Sequence, residues 1–174
     1  MNNQEYLIRE ALPIEFSKIG ELMVEVYAQL EGFPSKNEQP DYYKMLLNIG
    51  SLTEKPKVKL LIAVSSSGKI SGAVIYFGSM KYYGSGGIAT LEKNAAGFRL
   101  LAVGHAERGN GIGKILTKAC IQMAKDEKQV QVIIHSTQAM QIAWKMYEKI
   151  GFIRSKELDF IQGELPVFGF RLSL

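Results

Sequence analysis

A chain of 174 residues, 47% hydrophobic and 22% charged, can bury a sizeable core and is expected to form one domain, residues 1–174. Its net charge of +4 is spread over interleaved basic and acidic residues, which argues against a nucleic-acid footprint and suits a small anionic ligand. The single cysteine, Cys120, excludes an internal disulfide framework and fits a reducing cytoplasm; Met1 to Glu5 begin no secretion signal, and no apolar run is long enough to span a membrane.

In chain order, Tyr6 to Arg9 reads as a first strand, and Pro13 suits the first position of a helix. Ile19, Leu22, Met23, Val26, Tyr27 and Leu30 repeat at three and four, so that helix is amphipathic and ends near Gly32. Phe33 to Pro40 is a polar loop; Asp41 is a candidate N-cap for a second helix that stops at Gly50. Lys57 to Val64 and Ile70 to Phe77 form an antiparallel hairpin around Ser65 to Lys69. The glycine-rich segment Tyr82 to Gly87 reads as a loop, and Ile88 to Ala96 carries no clear pattern.

An apolar strand from Phe98 to Val103 is followed by the turn Gly104 to Glu107, then Arg108-Gly109-Asn110-Gly111-Ile112-Gly113. A helix begins there, with its stripe on Ile112, Ile115, Leu116, Ala119, Cys120, Met123 and Ala124. Val130 to Ile134 is a buried strand, and His135-Ser136-Thr137 leads into a helix closed by Gly151, with Ala139, Ile142, Ala143, Met146, Tyr147 and Ile150 on one face. Phe152 to Phe160 and Val167 to Leu174 make a closing strand pair. The fold class is α/β: a mixed, mostly antiparallel sheet with a parallel strand pair at the cleft, flanked by about four helices. Ligands in such sheets favour strand carboxyl ends, where the Gly104 to Gly113 turn and His135 to Thr137 lie side by side.

Glycines permit positive φ and close backbone approach, and a helix start offers unpaired N–H groups and a favourable dipole. The stretch Arg108 to Gly113 is therefore an anion site, most naturally for phosphate. It is not a P-loop, because Arg108 stands where the first glycine belongs and Ile115 where Ser or Thr belongs. A dinucleotide fingerprint starting at Gly109 would need glycine where Lys114 stands.

What remains resembles the (Q/R)xxGx(G/A) motif of the GCN5-related N-acetyltransferases (GNAT). Leu100 to Val103 resembles the strand before that motif, and Ala143-Trp144-Lys145-Met146-Tyr147-Glu148-Lys149-Ile150-Gly151-Phe152 is similar to the family's AxxxYxxxGF signature. The resemblance implies acetyl-CoA as co-substrate, without a metal. Its pyrophosphate would lie on Arg108, Gly109, Asn110, Gly111, Ile112, Gly113 and Lys114, and its pantetheine arm along Leu101, Ala102 and Val103. It also implies direct acetyl transfer to a primary amine, with Tyr147 as general acid and an N–H near Val103 polarising the thioester. Packing alone would read Tyr147 as a core residue of its helix.

The chain departs from the family at His105, where proline is common, and at Met140, where asparagine is common. It has no acid near Gly97 or Phe98, where some members carry a basic glutamate, which leaves His105, His135, Glu31 and Glu92 as candidate bases. The acceptor, an amine-bearing small molecule or peptide, would be bound by the first two helices, the Phe33 to Pro40 loop and the Tyr82 to Gly87 loop, with Glu25 and Glu31 available to attract a cation. Two rival readings are a non-catalytic CoA-binding regulatory module and a transferase of another acyl group. A homodimer through strands near the C-terminus is compatible with the sequence, which does not itself require one.

Overall fold

The computed structural model describes residues 5–174. Strands β1 (Tyr6–Glu10), β2 (Val58–Ser65), β3 (Ile70–Phe77), β4 (Ala95–Val103), β5 (Gln131–Ser136), β6 (Ile153–Arg154), β7 (Phe160–Gln162) and β8 (Leu165–Ser173) share a sheet of order β1-β2-β3-β4-β5-β8-β6, with β7 also paired to β8. Every pairing is antiparallel except β4 with β5. Helices α1 (Phe16–Ala28) and α2 (Pro40–Leu47) cover one face; α3 (Ile112–Asp126) and α4 (Gln141–Ile150) cover the other. No helix among the described residues is long and apolar enough to cross a membrane.

The two faces have separate cores because strand side chains alternate. Ile19, Met23 and Leu46 pack with Ile62, Ala73 and Ile75 on the α1/α2 face. Leu116, Cys120 and Ala124 pack with Val74, Tyr76 and Ile134 on the α3/α4 face. Cys120 is fully buried and burial pushes its thiol well up, as befits a spectator.

Several boundaries differ from the sequence reading. Pro40 occupies the first turn of α2 with Asp41 inside it, because the fixed φ of proline suits that place; Asp41 is not the N-cap. Strand β4 begins at Ala95, three residues before the predicted Phe98, since Ala95, Ala96 and Gly97 pair in parallel with Gln131, Val132 and Ile133. The predicted strand from Phe152 to Phe160 is broken by a turn of 3-10 helix at Lys156–Leu158. There Leu158 folds over Gly169, where an added Cβ would come within 2.2 Å of the Leu158 Cβ. Ile115 and Ile142 were placed on buried stripes but are exposed, while Thr117 and Ile121 are buried instead.

Two features of β4 prepare the site. The β4–β5 ladder covers only three residue pairs and stops at Gly97 and Ile133, so the sheet splits beyond them. Between the partners Ala73↔Ala102 and Ile75↔Arg99, Leu100 and Leu101 of β4 stand opposite Val74 alone. That is a β-bulge, with Leu100 at φ +59°. It reverses the alternation: Phe98 packs on the α3/α4 face, Leu100 and Ala102 on the α1/α2 face, and Leu101 and Val103 return to the α3/α4 face.

Candidate active site

Beyond the split lies a cavity of about 750 Å³. Its wall takes Arg99, Leu101 and Val103 from β4, Arg108 to Lys114 (Asn110 excepted) from the following turn and α3, His135 to Thr137 from the end of β5, and Tyr147 from α4. The two strand ends that were expected to share a cleft do share it.

The turn is built by conformation rather than by side-chain caps. Gly109 has φ +85° and Gly111 φ +76°, a region open to glycine and strained for other L-residues, and Gly111 directly precedes α3. Among the described residues, no hydrogen bond is donated by the backbone N–H groups from Gly109 to Lys114. They remain available to an anion, and an added Cβ at Gly109 or Gly111 would enter open space. The one carboxylate on the cavity wall among the described residues, Glu107, is held by Lys69 Nζ. Of the expected turn residues, Arg108, Gly109, Gly111, Ile112, Gly113 and Lys114 line the cavity; Asn110 is exposed beside it. On β4, Leu101 and Val103 line it, whereas Ala102 points into the α1/α2 core.

Tyr147 is 6% exposed, with its ring edge-on to Phe98 and Phe152, both at 5.8 Å. Its hydroxyl has no hydrogen-bond partner among the described residues, and burial pushes the phenol well above its ordinary pKa. The tyrosine is thus both a packed residue and a proton-bearing group at the cavity. Ser136 and Thr137, 2% and 4% exposed, also reach the wall, and both hydroxyls are buried without a partner among the described residues. Their place at the strand end was expected; the burial of their hydroxyls was not.

The candidate bases fare differently. His135 lines the cavity, but Nδ1 lies 3.0 Å from the Tyr83 hydroxyl and Nε2 2.9 Å from the Leu158 carbonyl. A carbonyl only accepts, so Nε2 carries the proton and Nδ1 accepts from Tyr83. Burial lowers its pKa to about 4. His135 is a satisfied structural histidine. Glu92 accepts from Arg171 at 2.7 Å, while His105 and Glu31 are exposed and off the wall, as is Glu25.

Arg99 was missed. It sits within the run Phe98 to Val103, which reads as apolar, and the bulge places it opposite Ile75 on the α1/α2 face. A lone charge in a buried strand was the available signal. The same cavity wall carries Tyr27, Phe33 and Tyr42, whose rings lie 5.5 to 6.2 Å apart.

The site thus combines a split mixed sheet with a row of unpaired N–H groups, among the described residues, at the mouth of the gap. Residues 59–174 match the family model for the acetyltransferase (GNAT) domain, and the chain belongs to that family of acyltransferases. The fold is similar to that of a GNAT acetyltransferase from Staphylococcus aureus, at 16% identity over 98% of this chain and 99% of that one, with a TM-score of 0.73. It is similar also to a GCN5-related N-acetyltransferase from Kribbella flavida (19% identity, 97% and 98% covered, TM-score 0.70). A third likeness is a Salmonella typhimurium protein solved with its cofactor acetyl-CoA (12% identity, 98% and 94% covered, TM-score 0.68). No curated protein matches the sequence.

Proposed function

We propose that this chain is an acetyl-CoA-dependent N-acetyltransferase acting by direct transfer in a ternary complex. The observation that carries the reading is the unpaired N–H row from Gly109 to Lys114, set at the mouth of a split sheet with Tyr147 on the same cavity wall.

Acetyl-CoA supplies an activated thioester when bound. The Gly109 to Lys114 amides, with the Arg108 and Lys114 cations, receive the pyrophosphate. The β4 edge beyond Gly97, released from β5, offers backbone groups to an amide-bearing arm, and Leu101 and Val103 pack beside it. An N–H near Val103 polarises the thioester carbonyl. The neutral amine attacks that carbon: the C–N bond forms, the C–S bond breaks with its electron pair on sulfur, and the amine proton passes to water. Tyr147 gives its phenolic proton to the departing thiolate and regains one from solvent.

Among the described residues no free carboxylate or unoccupied imidazole faces the cavity, so the amine reaches its neutral form without a strong base from them. That favours acceptors with weakly basic amines; a terminal α-amine, with a pKa of about 8, loses its proton far more readily than a lysine side chain at about 10.4. Acetyl-CoA consumption, followed as thiol release against a panel of amines, tests the reading. Turnover of at least one amine by the wild type is expected. Binding of acetyl-CoA without turnover of any amine would favour the regulatory-module reading.

A further inference from the structure

We infer that the acceptor is an anionic amine: a compound whose carboxylate is received by Arg99 and whose apolar body rests on the aromatic wall beside it. The inference rests on the acetyl-transfer reading above and deepens it.

Arg99 is half-buried at the cavity wall. Its Nη1 donates to the Tyr83 carbonyl at 2.8 Å, and its guanidinium lies 5.5 Å from the centre of the Tyr83 ring. Those two contacts fix the fork in place. Gly84, at φ +73°, leaves room for it, since an added Cβ would approach Nη1 to 3.2 Å. A guanidinium has five N–H donors, and among the described residues no other donor of Arg99 finds an acceptor and no carboxylate pairs with it. A half-buried cation without an anionic partner is costly, and a planar fork held rigid suits a carboxylate in two-point contact.

The cofactor phosphates are poor candidates for this role. They have Arg108 and Lys114 on the turn itself, whereas Arg99 lies before the bulge, on the strand face opposite to Leu101 and Val103. Arg99 instead shares its region with Tyr27, Phe33 and Tyr42, from the α1/α2 side where acceptors were expected to bind. The sole acid on the wall among the described residues, Glu107, is already paired with Lys69, so they offer the acceptor region no free negative charge to welcome a polycation. Arg99 also disfavours a second positive charge nearby, which lowers the pKa of an amine held next to it and eases the deprotonation that no side chain performs.

The test is calorimetric titration of the CoA-loaded protein with N-acetyl-phenylalanine, N-acetyl-leucine and N-acetyl-methionine, each compared with its uncharged amide. At least one acid is expected to bind about tenfold or more tightly than its amide. In Arg99→Gln that preference should fall to within about twofold while CoA binding is unchanged, and Arg99→Lys should retain part of it. Equal binding of acids and amides by the wild type, or no binding of any acid, would overturn the inference without needing a variant. Acid binding without acetyl transfer to the parent amino acids would reject the transfer reading and leave the anion site standing. Brisk acetylation of amines that lack a carboxylate, with no preference for those that carry one, would do the reverse.

Discussion

The Tyr83 hydroxyl donates to His135 Nδ1 at 3.0 Å, and the imidazole in turn donates from Nε2 to the Leu158 carbonyl at 2.9 Å. Three distant parts of the chain, the loop before β4, the end of β5 and the turn before β7, are tied through one ring. The arrangement keeps His135 neutral, with its pKa lowered from 6.5 to about 4 by burial first of all.

A pH dependence of stability follows. The unfolded chain takes up a proton near pH 6.5, whereas the folded chain resists until about pH 4. The stabilisation is therefore full above the unfolded value and is lost as pH falls between the two, by up to about 3 kcal/mol. Denaturant titrations at pH about 7.5 and about 5 should show this loss in the wild type and a smaller one in His135→Gln. A loss of equal size in the variant would place the sensitive group elsewhere.

Tyr147→Phe separates packing from proton donation. The ring sits between Phe98 and Phe152, and the hydroxyl has no partner among the described residues, so stability should change by less than about 1 kcal/mol. The kcat should fall about 100-fold or more, with the KM for acetyl-CoA little altered. Unchanged turnover would leave Tyr147 as a core residue only.

The two glycines at the start of α3 should respond differently to alanine. Gly111 sits at φ +76°, where a Cβ costs about 1–2 kcal/mol and the turn would relax away from the ligand. Gly113 has helical backbone, and its added Cβ would meet Leu101 Cδ2 at 3.6 Å and Met146 Sδ at 3.8 Å, ordinary contacts. Steady-state kinetics should show the KM for acetyl-CoA rising about tenfold in Gly111→Ala and by less than about threefold in Gly113→Ala.

These contrasts mark how far the residues could be read in advance. Gly109, Gly111 and the stripe of α3 are local signals, since glycine φ and helical spacing depend on neighbours in sequence. The parallel pairing of β4 with β5, which brings their far ends to one cleft, follows from strand-helix-strand order and holds in the fold. Leu100 at φ +59° is a different matter: nothing about leucine asks for that conformation, which the β3–β4 ladder imposes. Because the bulge could not be foreseen, neither could the face on which Arg99 emerges. Strand order brings Ser136 and Thr137 to the cleft but does not foretell that their hydroxyls are buried there without a partner among the described residues. The same holds for Leu158, whose fit over Gly169 interrupts the last predicted strand pair.

Cys120 provides a control on the chemical route. Its thiol is fully buried among Leu116, Ala124 and their neighbours and is pushed up by burial, so it should resist alkylation in the native protein. Cys120→Ala should keep its turnover while losing about 1 kcal/mol of stability to the small cavity left. Loss of turnover with the fold intact would point to a covalent acyl-enzyme instead of direct transfer.

The account stands most directly on what the Gly109 to Lys114 amides hold. Calorimetric titration with acetyl-CoA, alongside S-acetyl-pantetheine, which carries the same thioester arm without the pyrophosphate, measures that contribution. One site per chain is predicted, with acetyl-CoA bound about 100-fold or more tightly than the truncated thioester. Equal affinity for the two, or no binding of acetyl-CoA, would contradict it.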